Sequence, residues 1–359
     1  MFAPIEASAA PIAPELVQWF RGLGVPLGEL YANRLTIAEA YERAGFYGYH
    51  VAEHHTTPLG AAASPALIFS ALSQRTRTLR FGPLVYLLPF YHPLRLIEEV
   101  CMLDQMSGGR FQLGVGRGVS PFELKYHKIE HDQSRDIFID AYRCIVKGLS
   151  GDMLSYKGPH YEYENVPIAL TPYQKPFPAF WYGSSGAEGS TWAGEEGLHF
   201  VTLGANAFAK ANIDTFKTAF AKRGGKAFQP KPEFSGGVAL GVQRHIFVDE
   251  TDEKAKAWAK PAMENHLSNI NWIRNRHGVT MTAERMKNVR GRNFEECVEE
   301  GTVIAGSPKT VLAAIEQQAK EIGFNYLLTY LFLGTMSFET AMRSMKLFVK
   351  DVMPAVEKM

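Results

Sequence analysis

The sequence has little of what would direct a protein to nucleic acid, to a membrane or through a secretory pathway. Its 38 basic and 37 acidic residues nearly cancel, whereas nucleic acids and anionic membranes attract a clustered basic excess. No apolar run approaches the roughly 20 residues that span a bilayer. The first residues, Met1 to Glu6, contain no basic segment and no long apolar stretch, so we expect no signal peptide.

Cysteine is also scarce. The chain has Cys101, Cys144 and Cys297, which stand far apart and form no CxxC pair. This pattern predicts neither a zinc site nor a disulfide framework, so we expect no metal. We therefore expect a cytoplasmic protein without nucleic-acid or membrane partners. The apolar fraction of 46% is ample for a large core.

Short β-branched or aromatic runs alternate with helical patterns along most of the chain. This alternation predicts βα units and a parallel sheet, and the strand count fits a single (β/α)8 TIM barrel over residues 1–359. A doubly wound open sheet is the alternative, because counting strands does not show closure. The predicted strands are Met1–Ile5, Tyr47–Val51, Leu79–Leu87, Phe111–Val115, Ala179–Tyr182, Leu198–Thr202, Val238–Val248, Thr302–Ala305 and Asn325–Tyr330. The predicted helices are Leu30–Ala44, Pro65–Gln74, Leu94–Met106, Ser134–Gly148, Ala187–Glu196, Phe208–Lys222, Asp252 to about Leu267, Pro308–Ile322 and Ser337–Val352.

Two segments interrupt the alternation. Residues 149–178 are rich in Tyr, Pro and Gly and are interpreted as an insertion. Residues 268–300 have weak periodicity and many polar side chains. Because long unpatterned segments inside a compact domain are usually lids or disordered, we expect residues 268–300 to form a mobile lid.

The first candidate site lies after the second predicted strand, where Glu53, His54 and His55 follow one another. Active sites of barrels lie at the carboxyl ends of the strands. Adjacent side chains on an extended segment point to opposite faces, which makes these histidines poor joint ligands for one metal. One imidazole facing the barrel mouth can donate a hydrogen bond or move a proton near neutral pH. Ordinary loop histidines are the alternative.

Two further candidates are suited to an anion. Arg117 follows the fourth strand between two glycines, so its guanidinium can approach a phosphate with little hindrance. The turn Gly183 to Gly186, with Ser184 and Ser185, precedes a helix and offers free N–H groups and hydroxyls. A structural ion pair and a plain glycine turn are the respective alternatives. The glycines around Arg117 do not have the GxGxxG spacing of dinucleotide-binding folds.

Taken together, these segments resemble the luciferase-like flavin monooxygenases, and in particular the α subunit of bacterial luciferase. The resemblance rests on the family's EHH segment, its third-strand segment, its LDQMSxGRF string and its C-terminal segment. In this chain they read FYGYHVAEHH at 46–55, GPLVYLLPFYHP at 82–93, LDQMSGGRF at 103–111, and MKLF and DVMP at 345–348 and 351–354.

The resemblance implies a role for each matched residue. His54 matches the histidine beside the flavin, which assists formation and breakdown of the peroxyflavin. Arg117 matches the arginine on the FMN phosphate, and the turn with Ser184, Ser185 and Gly186 matches the loop that closes around it. Leu84 and Val85 match the pair under the isoalloxazine ring, which is joined by a non-proline cis peptide that we also expect here.

The function implied is a monooxygenase that uses reduced FMN and O2 through a C4a-hydroperoxyflavin to oxygenate a small, apolar organic substrate. A separate flavin reductase would supply FMNH2, and the helix 94–106 matches the luciferase subunit interface, which implies a homodimer. Three alternatives stay open: an F420-dependent oxidoreductase of the same barrel family, a non-catalytic flavin-binding subunit, and a barrel enzyme without flavin.

Two departures from the luciferase α subunit affect the expected flavin site. The chain has Gly116 where that subunit has a cysteine just before the phosphate arginine. It also has Ser185 and Gly186 where luciferase has an acidic residue and a serine. Flavin affinity is therefore expected to differ.

Overall fold

The computed structural model describes residues 27–118, 120–223, 228–277, 293–333 and 336–359. Eleven strands are present in these ranges: β1 (Gly48–Val51), β2 (Arg80–Pro83), β3 (Tyr86–Leu87), β4 (Leu113–Gly116), β5 (Met153–Lys157), β6 (Glu162–Pro167), β7 (Phe180–Gly183), β8 (His199–Thr202), β9 (Leu240–Val248), β10 (Val303–Gly306) and β11 (Tyr326–Tyr330). The helices are α1 (Leu27–Arg43), α2 (Pro65–Arg75), α3 (Pro93–Ser107), α4 (Pro121–Tyr126), α5 (Ser134–Leu149), α6 (Ala187–Glu196), α7 (Asn206–Phe220), α8 (Asp252–Arg276), α9 (Phe294–Glu299), α10 (Pro308–Ile322), α11 (Phe338–Asp351) and α12 (Met353–Val356).

Parallel strands joined by helices form the wall of the fold. Strands β3, β4, β7, β8 and β9 are consecutive neighbours, and β11 pairs with β9 beyond them. Strand β1 pairs in parallel with β2, and a bridge between Phe81 and Phe111 links β2 to the chain entering β4. The predicted alternation of strands and helices is therefore confirmed. The predicted first strand, Met1–Ile5, lies outside the described residues.

Two of the predicted strands differ in detail. The predicted strand Leu79–Leu87 is divided into β2 and β3, and the Leu84–Val85 peptide between them is cis, as expected. The predicted strand Thr302–Ala305 forms as β10, but it pairs only with the carboxyl half of β9, where Val303 lies opposite His245. Strand β11 pairs with the amino half of β9. Thus β10 extends the sheet and is not a consecutive member of the wall.

The insertion at 149–178 contains an antiparallel hairpin, β5–β6, outside the parallel wall. Asp140 of α5 anchors this hairpin: its carboxylate accepts hydrogen bonds from the Tyr156 hydroxyl at 2.6 Å and from the amides of His160 and Tyr161. A Cβ at Gly158 would lie 1.9 Å from Oδ1 of Asp140. Glycine is therefore required where the hairpin turn meets its anchor.

The region predicted as a lid is partly helical. Helix α8 does not end near Leu267 but continues to Arg276, and α9 occupies Phe294–Glu299. The extension has a buried side, on which Asn269 and Ile273 lie one helical turn apart. The polar composition of the segment concealed this buried side. Residues 278–292 lie outside the described ranges, so the mobility of the segment stays a prediction. In the part of the chain that is described, no helix is long and apolar enough to cross a membrane.

The inner side of the wall is filled with large polar and aromatic side chains. His50, Trp181, His199 and Tyr326 stack around one another, with ring centroids 4.7 to 5.1 Å from that of Trp181. Burial lowers the pKa of His50 to about 4 and that of His199 to about 3. Both imidazoles are therefore neutral near pH 7, which suits an interior with little water.

Candidate functional site

The predicted site residues follow neighbouring strands. Leu87 at the end of β3 lies opposite Gly116 at the end of β4, and Val115 lies opposite Tyr182 of β7. Because the carboxyl ends of parallel strands meet at one edge of the wall, Arg117 and the turn 184–186 come to the same edge. The segment after β1 joins them, since Leu84 donates its amide to the carbonyl of Val51.

His54 is paired with a buried carboxylate. Its Nδ1 lies 3.2 Å from Oε1 of Glu123, and the exposed fraction of the side chain is 25% for His54 and 5% for Glu123. Glu123 lies in the first turn of α4, whose amino end is capped by Ser120, which accepts a hydrogen bond from the Glu123 amide. A carboxylate at this distance can accept a hydrogen bond from Nδ1–H and so orient the imidazole ring.

The neighbouring histidine has a different partner. His55 Nε2 lies 2.7 Å from Oε1 of Glu53, whose other oxygen accepts the amide of Leu87. The His55 ring packs edge-on against Phe90 and His127. The two adjacent imidazoles thus have separate partners, as their expected opposite orientation implies. Among the residues described, no group of three or more His, Cys, Asp or Glu is placed to hold a metal.

The cis peptide lies over a surface made by two glycines. A Cβ at Gly116 would lie 2.3 Å from Cγ2 of Val85, and one at Gly183 would lie 3.7 Å from Cγ1 of Val85. Val85 therefore occupies the space that a side chain at position 116 would need. This explains in steric terms why glycine stands at 116. Leu84 and Val85 are both half-buried, so part of each remains exposed.

Arg117 is available to an anion. It is half-buried and has no hydrogen bond or ion pair with any residue in the described ranges. Burial raises the pKa of Tyr182, and the positive charges of Arg135 and Arg117 oppose that shift, so both guanidinium groups lie within electrostatic reach of the end of β7. A half-buried guanidinium without a carboxylate is costly unless a ligand or water satisfies it.

The turn before α6 leaves a helix amino end open. Gly186 occupies the N-cap position in an extended conformation, and no side chain caps the helix. The first-turn amides of α6 thus face outward without a side-chain acceptor, a common anion site. Ser184 packs tightly here, because a Cβ at Gly189 would lie 2.2 Å from its Oγ. Arg135 forms an ion pair with Glu188 in the first turn, with its Nε 2.8 Å from Oε1.

Sequence reasoning missed two of these residues. Glu123 is separated from His54 by 69 positions, but Ser120 and Glu123 have the spacing of a capping box, which marks a helix start. Arg135 carries no comparable signal. Trp192 of α6 packs edge-on against Phe138 of α5 and Tyr182 of β7.

The family is decided by comparison with known sequences. The sequence model of the luciferase-like monooxygenases matches residues 1–326. The chain belongs to the luciferase-like monooxygenase family. It is 34% identical over 333 residues to protein y4wF of Sinorhizobium fredii, covering 93% of this chain and 94% of that one. It is also 31% identical to the alkanal monooxygenase alpha chain of Aliivibrio fischeri, over 159 residues that make up 44% and 45% of the two chains.

Solved structures of similar fold include both FMN and F420 proteins. Monooxygenase RslO1 of Streptomyces bottropensis superposes with a TM-score of 0.78 at 21% identity, covering 91% and 94% of the chains. The oxygenating constituent of 3,6-diketocamphane monooxygenase of Pseudomonas putida, in complex with FMN, gives 0.77 at 20% identity, with 92% and 94% covered. The F420-dependent tetrahydromethanopterin reductase of Methanopyrus kandleri gives 0.68 at 17%, with 90% and 94% covered. These likenesses show the fold, the (β/α)8 barrel of this family.

Proposed function

We propose that this protein is an FMN-dependent monooxygenase that takes up reduced FMN and O2 and inserts one oxygen atom into a small organic substrate. The observation that carries the proposal is that Arg117, which has no hydrogen-bond or ion-pair partner among the described residues, lies at the same edge as the uncapped amino end of α6. A guanidinium, free backbone amides and serine hydroxyls at one edge are the donor set that a phosphate monoester requires.

Each predicted residue has a place in this proposal. Arg117, the first-turn amides and Ser184, Ser185 and Gly186 would hold the FMN phosphate. Leu84 and Val85 would lie under the isoalloxazine ring, where Val85 fills the space between Gly116 and Gly183. Reduced flavin, when bound, supplies the two electrons that let O2 deliver one oxygen atom to a substrate and the other to water.

His54 would handle the proton in this reaction. Its Nδ1 faces Glu123, which leaves Nε2 to donate or accept a proton at the reacting oxygen. Phe122, the residue before Glu123, is only 3% exposed. A buried apolar ring in the helix that carries Glu123 would help to keep water from the reacting atoms. We propose an apolar substrate on the same ground.

F420 is the second candidate cofactor, because the tetrahydromethanopterin reductase of Methanopyrus kandleri, which has a similar fold, is F420-dependent. A deazaflavin would use the same phosphate site for hydride transfer without oxygen. We favour FMN on the motifs EHH and LDQMSGGRF. The chain has no GxGxxG motif for a nicotinamide cofactor, so a separate flavin reductase would supply FMNH2.

We further propose a homodimer through α3. Met102 and Met106 of this helix are 53% and 41% exposed, and Leu67 of α2 is 73% exposed. Large apolar side chains on adjacent helices are typical of a subunit interface. A monomeric mass by light scattering at micromolar concentration would contradict the dimer.

Anaerobic titration of the protein with FMNH2 and, separately, with reduced F420 tests the cofactor. We expect FMNH2 to bind, and Arg117→Ala to weaken it while Arg43→Ala, which removes an exposed arginine of α1, leaves it unchanged. Selective binding of F420 would replace FMN in the proposal. Binding of neither would contradict a flavin enzyme. Turnover by the purified chain would exclude a non-catalytic subunit.

A further inference from the structure

Helix α4 connects the His54 dyad to the end of the long helix α8. Glu123 contacts His54 from one side of α4. Phe122, the preceding residue, stacks on His277 with ring centroids 4.4 Å apart and planes inclined by 8°. Tyr126, one turn later, brings its hydroxyl within 2.8 Å of His277 Nε2. His277 is the C-cap residue of α8 and directly follows Arg276.

The size of α4 makes these contacts important. A six-residue helix has too few internal hydrogen bonds to be stable alone, so packing has to hold it. Its amino end is held by the Ser120 cap. In addition, His277 contacts two residues of α4, Phe122 and Tyr126, which lie before and after Glu123 in the sequence.

We propose that Glu123 is the positioning residue of His54, and that His277 holds Glu123 in place by fixing α4 through Phe122 and Tyr126. The inference deepens the proposed function, on which the catalytic use of His54 rests. Glu123 accepts a hydrogen bond from Nδ1–H of His54, which fixes one tautomer and leaves Nε2 unprotonated and free for the reacting atoms. The carboxylate can do this because it is almost fully buried and has no freedom to turn into water.

Other ionisable groups surround the two imidazoles. His127 at the end of α4 lies within electrostatic reach of His55, Glu53 and Glu123. Burial and the charges of Arg276 and Lys125 lower the pKa of His277, so its ring is neutral near pH 7. A neutral ring stacks on Phe122 without the desolvation cost of a buried cation.

The test is 15N NMR of histidine-labelled protein without flavin, at alkaline pH where imidazoles are neutral. The Nδ1 and Nε2 shifts of His54, assigned with His54→Gln, report its tautomer. In the unmodified protein we expect the Nδ1–H form. In Glu123→Ala we expect the tautomer ratio to move toward Nε2–H by about tenfold, the factor that loss of one charge-assisted hydrogen bond implies.

His277→Ala tests the second part. We expect a smaller shift in the same direction, about threefold, while His160→Ala, which removes an exposed histidine of the β5–β6 hairpin, causes none. An unchanged tautomer in folded Glu123→Ala would overturn the positioning role. An unchanged tautomer ratio of His54 in folded His277→Ala would overturn the proposal that His277 fixes α4. Should Glu123→Ala not fold, Glu123→Leu, which fills much of the same space and has no hydrogen-bond acceptor, replaces it, with the expected change being a loss of the fixed Nδ1–H form.

These measurements need no cofactor, so they separate this inference from the proposed function. A protein that does not bind flavin but shows the tautomer shifts keeps the positioning role of Glu123 and loses the monooxygenase. A flavin enzyme without the shifts keeps the monooxygenase and loses the positioning role.

Discussion

Replacing Gly116 by alanine tests whether Val85 occupies the space beside Gly116 in the candidate site. The new Cβ would lie 2.3 Å from Cγ2 of Val85 and 3.3 Å from its Cβ, well inside van der Waals contact. Val85 is β-branched and stiff at χ1, so its methyl groups are not the flexible end of a long side chain. Overpacking of this kind costs about 2 kcal/mol. With about 2 cal/mol/K of unfolding entropy per residue, that lowers the Tm of 359 residues by about 3 °C.

A double-mutant cycle identifies the cause. Val85→Ala removes the clashing methyl groups, so Gly116→Ala should cost far less in the Val85→Ala background than alone. Gly60→Ala is the matched control, because nothing lies within 4 Å of a Cβ there. Thermal unfolding of the four proteins measures the coupling. Additive effects of the two substitutions, or an unchanged Tm for Gly116→Ala, would refute the packing of Val85 against Gly116.

Three further predictions follow from charge and burial. Arg117→Ala should weaken FMNH2 binding about tenfold to a hundredfold in the anaerobic titration, because one charged hydrogen-bonding group is worth about 1.5–3 kcal/mol. Arg244 is fully buried and bonded to the side-chain oxygens of Gln318 and Asn206, so Arg244→Ala should destabilise the fold by about 3 kcal/mol in urea unfolding. Stability should also fall on acidification. The unfolded chain protonates His50 and His199 near pH 6.5, whereas the folded chain does so only near pH 4 and pH 3. Each histidine should therefore lower the free energy of unfolding by about 1.4 kcal/mol per pH unit as the pH falls from about 6.5 to the pKa of that histidine in the folded chain.

The controls for these predictions differ. Arg43→Ala should leave FMNH2 affinity unchanged, and equal losses in both arginine variants would point to a general charge effect. Arg244→Lys keeps the charge without the planar fork, so full stability in that variant would contradict the bonding described. His199→Gln should halve the part of the acid dependence that the two histidines contribute between pH 6 and pH 4, because His50 remains. A slope equal to that of the unmodified protein would mean that His199 is not buried as a neutral ring.

Much of the fold could be predicted because the pattern is local. Helices Ala187–Glu196 and Pro308–Ile322 have the predicted bounds, since apolar periodicity and glycine or proline punctuation mark both ends. The continuation of α8 to Arg276 was missed because its outward positions are polar, and only tertiary contacts show which side is buried. No local signal in the sequence encodes the pairing of β10 with the carboxyl half of β9.

The candidate site, too, has residues that could be predicted from the sequence and residues that could not. His54, Arg117 and the turn 184–186 were accessible to prediction, because strand ends and glycine turns have local signatures. The partner of His54 was not, since Glu123 is 69 positions away in the sequence and meets it only in the folded chain. The same is true of the stacking of His277 on Phe122, which joins segments far apart in the chain. Which carboxylate meets which imidazole is decided by tertiary structure.

The most direct test of the proposed function is the reaction of the anaerobic protein–FMNH2 mixture with oxygenated buffer in a stopped-flow spectrometer, repeated with His54→Ala and Arg117→Ala. The proposal predicts flavin oxidation through a transient species that free FMNH2 does not show. Arg117→Ala should abolish the transient at limiting flavin, and His54→Ala should change its decay. Oxidation identical to that of free FMNH2 in the unmodified protein would contradict the monooxygenase.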